Sequence, residues 1–210
     1  AGYIAEQKRS RGWFALAAAA AAIATLIKGP VGFLVPGLVL GVYHALDRRW
    51  GALKRFFAPL NLLVFFGLTL PWFFGVNHYY RDFAYYGLVV ESFHRYTTPV
   101  FRRTGPFYYY GPWILIGMFT WCLLLPESIM AAWRSRRQLS SADRLLIVWT
   151  MVVIVFFSLS KSKRPDYILS AIVALGCLIA RVLTTAPDRL LRRGAMALAV
   201  FCGVGGAVLL

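Results

Sequence analysis

Long apolar stretches alternating with short basic clusters constrain this chain more than any single motif does. From residue 13 onward the apolar runs recur at roughly 15 to 24 residues, the length range of elements whose solvent is lipid. The hydrophobic fraction is 60% and the mean hydropathy +0.64, against about 45–50% apolar residues in soluble domains. Inside a bilayer every backbone N–H and C=O must be paired within its own segment. The predicted fold is therefore all-α, a polytopic transmembrane bundle of about seven helices.

The apolar blocks predict helices at 13–27, 31–46, 56–76, 110–133, 145–160, 167–183 and 195–210, with a long loop over 77–109. They form one transmembrane domain over 1–210, with no repeat, low-complexity tract or soluble linker. The first block, preceded by Lys8, Arg9 and Arg11, has the layout of a signal peptide. However, Lys28-Gly29-Pro30 leads directly into the next block, and a helical hairpin is the preferred reading. Pro36, Pro71, Pro112 and Pro126 fall within or near the blocks, where neighbouring helices tolerate such breaks. The chain opens on Ala1 rather than Met and stops at Leu210 within an apolar run, which reads as a piece of a longer protein.

A net charge of +15 in a soluble protein would suggest nucleic acid. Here the basic residues gather between apolar blocks and no RNA-binding motif accompanies them, so no nucleic-acid partner is expected. Fifteen of the 23 lysines and arginines fall on one side of the predicted helices. The positive-inside rule makes that side cytoplasmic, as in a multi-pass protein of the bacterial inner membrane. Trp13, Trp50 and Trp133 fall near the inner interface and Trp72 and Trp113 near the outer one, as aromatic belts do. Cys122, Cys177 and Cys202 all lie within apolar stretches without metal-ligand spacing, and read as small residues facing helices or lipid.

Eight basic residues remain for the outer side, where few are expected: Lys28, Arg81, Arg95, Arg102, Arg103, Lys161, Lys163 and Arg164. Only Asp82, Glu91 and Asp166 oppose them, leaving a surplus of five positive charges. A cation at bilayer centre costs about 2.5–3.5 kcal/mol, and less near the interface. Cations gathered at the mouths of three hairpins suggest an anionic partner, with a lipid-linked phosphate or pyrophosphate the natural one. Ordinary contact with phospholipid headgroups is the plainer explanation of the same charge. Tyr79, Tyr80, Phe83, Tyr85, Tyr86, Phe93, Tyr96 and the run from Phe107 to Tyr110 crowd the same side. Such rings suit sugars or a polyprenyl chain, and suit an interfacial belt equally well. His78, Asp82, Glu91 and His94 are ligand types, but their spacing matches no tight metal motif. No metal site is assigned, and whether a divalent cation takes part is left open. His44, at the inner end of its helix, receives no role.

Five segments carry a resemblance. Leu26-Ile27-Lys28-Gly29-Pro30 is similar to a "TKGP" turn, and Leu70-Pro71-Trp72-Phe73 to an "LPW" helix end. Val90-Glu91-Ser92-Phe93-His94-Arg95-Tyr96 resembles "EHNxxRF", and Gly105-Pro106-Phe107-Tyr108-Tyr109-Tyr110 an aromatic helix start. The stretch from Phe157 through Lys161-Ser162-Lys163-Arg164-Pro165-Asp166-Tyr167 to Leu169 resembles "FFSxSKSKLPxYxLP". In this order they resemble the GT-C clan of integral membrane glycosyltransferases that use polyprenyl-phosphate sugars. The nearest branch is family-39-like, with the bacterial lipid A aminoarabinose transferases and related mannosyltransferases.

The resemblance implies that Lys28 and Arg95 bind the carrier's phosphate, with Tyr167 and Lys163 as further contacts. Glu91, Arg102, Arg103, Tyr108 and Tyr109 become candidate substrate contacts. Glu91 and Ser92 stand where the family often has His and Asn, and Ser170 where it has Pro. The family's catalytic carboxylate lies in the first outer loop of the full protein, a region with no counterpart here, so the general base is expected outside this chain. The implied activity is inverting transfer of a sugar from a polyprenyl-phosphate donor to a lipid or protein acceptor on the outer side, among membrane lipids. The competing reading is a transporter or flippase for a lipid-linked substrate, which more often carries ionisable residues in mid-helix. The predicted helices from 13 to 160 are nearly free of charge, apart from Glu127 near one end. A structural subunit without a ligand leaves the outer charge unexplained.

Overall fold

The computed structural model describes residues 1–99, 104–119 and 139–185, with isolated positions 121, 126, 128–130, 192, 196 and 199. The predicted helix at 195–210 and the latter part of the one at 110–133 fall outside the described residues, apart from those positions. Among the described residues the regular structure is helical, with no strand. The chain divides into two compact units, Ala1–Gly105 with Leu159–Arg164, and Pro106–Ser158 with Pro165–Leu210.

In the first unit a short helix α1 (Gly2–Lys8) precedes α2 (Arg11–Lys28), α3 (Val31–Leu46), α4 (Trp50–Phe56) and α5 (Pro59–Tyr79). An 18-residue helix such as α2 is about 27 Å long, close to the bilayer's apolar thickness of about 30 Å. Helices α2 and α5, and Ser141–Leu159 of the other unit, are the described helices long and apolar enough to cross a membrane; α3 is apolar but shorter. Ile27, Leu63 and Phe74 stand exposed on their surfaces, where lipid is the natural solvent. The buried hydroxyls of Thr25 and Thr69 donate back to Ala21 O at 2.7 Å and Phe65 O at 2.9 Å, so no polar group is left unpaired by the sequence's choice of Thr.

The turn joining α2 to α3 explains its own sequence. Gly29 sits at φ 72°, ψ −162°, a backbone region essentially closed to residues with a Cβ. Pro30 follows at φ −53° and opens α3, where a missing N–H costs nothing. A Cβ on Gly32 would run into the backbone of Ala24, so this glycine lets α3 lie directly against the alanine-rich α2. The hairpin expected from the sequence is therefore present, and Arg11–Lys28 is its first arm.

At the far end of this hairpin α1 folds back onto α3 and α4. Tyr3 meets Tyr43 edge-on at 6.5 Å and Phe14 meets Phe56 at 5.0 Å. His44, for which no role was expected, is fully buried, with Nε2 at 3.3 Å from Glu6 Oε2. Arg49 approaches the other oxygen of the same carboxylate at 3.8 Å.

The second unit holds the 3-10 turn Phe107–Tyr109, α6 (Tyr110–Gly117), α7 (Ser141–Leu159, its last residue counted with the first unit), the 3-10 turn Pro165–Ile168 and α8 (Leu169–Thr185). Helix α7 starts on a reciprocal cap: Ser140 Oγ donates to Asp143 Oδ2 at 2.6 Å and accepts from the Asp143 N–H at 3.2 Å. Arg181 of α8 pairs with the same Asp143 carboxylate. Met118 and Ile179 pack in the core of this unit against Ile114, Ile172 and Leu175.

Candidate functional site

The segment 77–109, expected as a loop, is not irregular throughout. After α5 the chain makes a helical turn at Phe83–Tyr85, a π-helix at Tyr86–His94 and a last turn at Arg95–Thr97. Two features fix its start. Phe83 packs on Trp72 at 5.3 Å, and the Ala84 N–H donates to Asn77 Oδ1 at 3.2 Å. Thr97 and Thr98 close its end by donating to Phe93 O at 2.8 Å and His94 O at 2.6 Å. A helix here keeps the backbone groups of this largely apolar segment paired.

Two segments distant in sequence meet this helix, all three lying within the first unit. The hairpin turn reaches it from one side: a Cβ placed on Gly29 would lie 3.5 Å from Ser92 Oγ. The segment 159–164 reaches it from another, where the Lys161 N–H donates to Tyr96 O at 2.9 Å. Lys28, Glu91, Arg95 and Lys163 are therefore borne by three neighbouring segments. Lys28 is exposed at the end of α2. Arg95 Nη1 lies 2.6 Å from Glu91 Oε2, the side chains 25% and 31% exposed.

Lys163 is the unusual member, because it is only 6% exposed. Its ammonium donates to Ser160 O at 2.9 Å, and Ser160 Oγ in turn donates to Ser162 O at 2.9 Å. Burial, and then the charge of Lys161 nearby, push the Lys163 ammonium below the ordinary lysine range. Beside it the Ser162 hydroxyl is buried with no hydrogen-bond partner among the described residues. Burial also raises the Tyr96 phenol. A buried cation crowded by a second one is unfavourable by itself and becomes favourable when an anion arrives. An anion is the class of ligand that such a set of cations suits. Among the described residues no three His, Cys, Asp or Glu side chains come together as a metal site.

The remaining predicted residues lie elsewhere. Tyr167 belongs to the second unit, its ring 4.9 Å from that of Phe157. Tyr108 and Tyr109 are also in that unit, Tyr108 exposed and Tyr109 against Tyr110 at 5.1 Å and Trp113 at 6.3 Å. Arg102 and Arg103 lie outside the described residues. The sequence reading missed the Glu91–Arg95 pair, although their spacing of four was visible, and it missed the burial of Ser160 and Ser162 beside Lys163.

These features define a polytopic helical membrane protein whose first unit carries Lys28, Arg95 and Lys163 on neighbouring segments, and its relatives give the family. No protein-family model matches the chain. It is 33% identical over 183 residues to the undecaprenyl phosphate-alpha-4-amino-4-deoxy-L-arabinose arabinosyl transferase of Erwinia tasmaniensis, covering 85% of this chain and 32% of that protein. The corresponding transferase 2 of Sodalis glossinidius is 34% identical over 185 residues, covering 88% and 33%. The crystal structure of ArnT from Cupriavidus metallidurans bound to undecaprenyl phosphate superposes with a TM-score of 0.82 at 32% identity, covering 93% of this chain and 35% of that one. The chain is thus a homologue of these membrane glycosyltransferases and spans about a third of their length. The resemblance read from the five motifs is borne out, and the relatives are transferases rather than transporters.

Proposed function

We propose that the full-length protein transfers a sugar from an undecaprenyl-phosphate donor, an amino sugar as in its relatives' names, to a lipid or protein acceptor. The reaction takes place at the outer side of the bacterial inner membrane. The observation that carries this is the meeting of Lys28, Arg95 and the buried Lys163 on three adjoining segments, in a homologue of such transferases. Departure of the sugar leaves charge on the phosphate. Cations already in place stabilise that charge and need no reorganisation when it develops. Arg95 offers a planar fork to two phosphate oxygens and Lys28 and Lys163 act as point charges. Tyr167, Tyr108, Tyr109, Arg102 and Arg103 enter this reading through their motifs. The base that activates the acceptor is assigned to a part of the protein outside this chain.

The test is Arg95→Ala in the full-length protein in lipid nanodiscs, with undecaprenyl-phosphate binding and turnover both measured. Loss of a hydrogen bond to a charged group is worth about 1.5–3 kcal/mol, so affinity falls by at least tenfold. Unchanged binding and turnover removes the assigned role.

A further inference from the structure

We infer that Glu91 is a positioning residue for Arg95: its carboxylate holds the guanidinium in the orientation that receives the donor phosphate, and does not itself contact sugar or metal. This rests on the reading of Arg95 as a phosphate ligand. The argument begins with helix register. In an α-helix of 3.6 residues per turn, side chains five apart diverge, whereas those four apart are neighbours. In a π-helix the backbone bonds run from i to i+5, which brings residues five apart towards one face. Tyr86 and Glu91 are five apart within the π-helix, and the Tyr86 hydroxyl donates to Glu91 Oε1 at 3.4 Å. Ser92 Oγ, also five residues on, donates to Gly87 O at 2.8 Å. Arg95, the residue after the π-helix, whose N–H still bonds Val90 O five residues back, lies four residues beyond Glu91 and reaches Glu91 Oε2 at 2.6 Å. Both carboxylate oxygens are thus engaged, one by a phenol and one by the guanidinium.

Two consequences follow for the site. A carboxylate beside a phosphate pocket repels the ligand, so its presence needs a return elsewhere. Fixing a long, rotamer-rich arginine supplies that return, because binding then loses less side-chain freedom. A guanidinium has five N–H donors in a rigid fork, and one carboxylate engages at most two of them. Glu91 can therefore orient Arg95 without occupying all of it. Glu91 also belongs to no cluster of three ligand-type side chains among the described residues.

The experiment uses the full-length protein in nanodiscs, with KM for the polyprenyl-phosphate sugar, kcat, and Kd for undecaprenyl phosphate. Misplacing the guanidinium in Glu91→Ala raises donor KM and Kd by about tenfold and lowers kcat as well, because Arg95 also faces the charge of the departing phosphate. Glu91→Gln, whose amide oxygen still accepts from Arg95, stays close to the parent. Tyr86→Phe moves KM in the same direction as Glu91→Ala by a smaller factor. In an Arg95→Ala background, Glu91→Ala adds nothing further, because the group it orients is gone. A full additional penalty in that background, or Glu91→Gln as damaging as Glu91→Ala, makes Glu91 a direct contact and overturns the inference. If Glu91→Ala does not fold, Glu91→Gln and Tyr86→Phe in both backgrounds decide it. Arg95→Ala binding undecaprenyl phosphate like the parent is a different result: it removes the phosphate reading of Arg95 itself.

Discussion

Gly29→Ala isolates the backbone contribution to the site. Gly29 combines φ 72° with ψ −162°, and occupying that region with a residue bearing a Cβ costs of order 1–3 kcal/mol. The added methyl has room, because its nearest neighbour would be Ser92 Oγ at 3.5 Å, an ordinary contact. The penalty is therefore backbone strain and not a clash. It has two outlets. If the turn stays, the folded protein loses the whole amount; if the turn relaxes, Lys28 leaves the flank of the π-helix and the strain reappears as weakened donor binding. A coupling of about 1–3 kcal/mol corresponds to a roughly 5- to 150-fold change in an equilibrium constant. The measurements are thermal unfolding in detergent and undecaprenyl-phosphate affinity in nanodiscs, on full-length parent and variant. Their summed losses are expected to fall within that range. A variant that melts and binds like the parent refutes the claim that this glycine's conformation builds the site.

Burying Lys163 sets up a trade between stability and binding. Its pKa is depressed in the folded protein, so between that value and about 10.4 the unfolded chain holds more protons. Stability therefore rises with pH through this window. Lys163→Met is expected to melt at the same temperature or higher while binding undecaprenyl phosphate more weakly. Affinity of the parent falls as pH climbs through the depressed pKa, whereas Lys163→Arg, charged throughout, moves that fall to higher pH; identical pH profiles would count against Lys163 as a phosphate ligand. At the opposite end of α7, Ser140→Ala removes a reciprocal cap and costs about 0.5–2 kcal/mol of stability in a denaturant titration, with binding unchanged.

Much of this protein was legible before any tertiary structure. Lipid is a demanding solvent: it forces helices and requires long apolar runs, and both leave marks that can be read residue by residue. The Lys28-Gly29-Pro30 hairpin was readable because glycine and proline carry their backbone restrictions in their own covalent structure. The cations that could hold a phosphate were readable as the basic residues left over on the side that the positive-inside rule predicts to be the outer one.

Tertiary structure decided the rest, because it depends on which groups share a surface. Lys28, Arg95 and Lys163 are far apart in sequence, and the close approach of Gly29 to Ser92 and the hydrogen bond of Lys161 to Tyr96 bring their segments together. Sequence gave Lys163 a charge but not its burial among Ser160 and Ser162. It placed Glu91 near the site but could not supply the π-register that turns Tyr86 and Arg95 onto one carboxylate. His44, a bystander in the sequence, is buried against Glu6 because α1 folds back over it. Solvent acts on each residue of a segment separately, so its demands are written locally. A site forms from contacts between segments, and those exist only once the helices have packed.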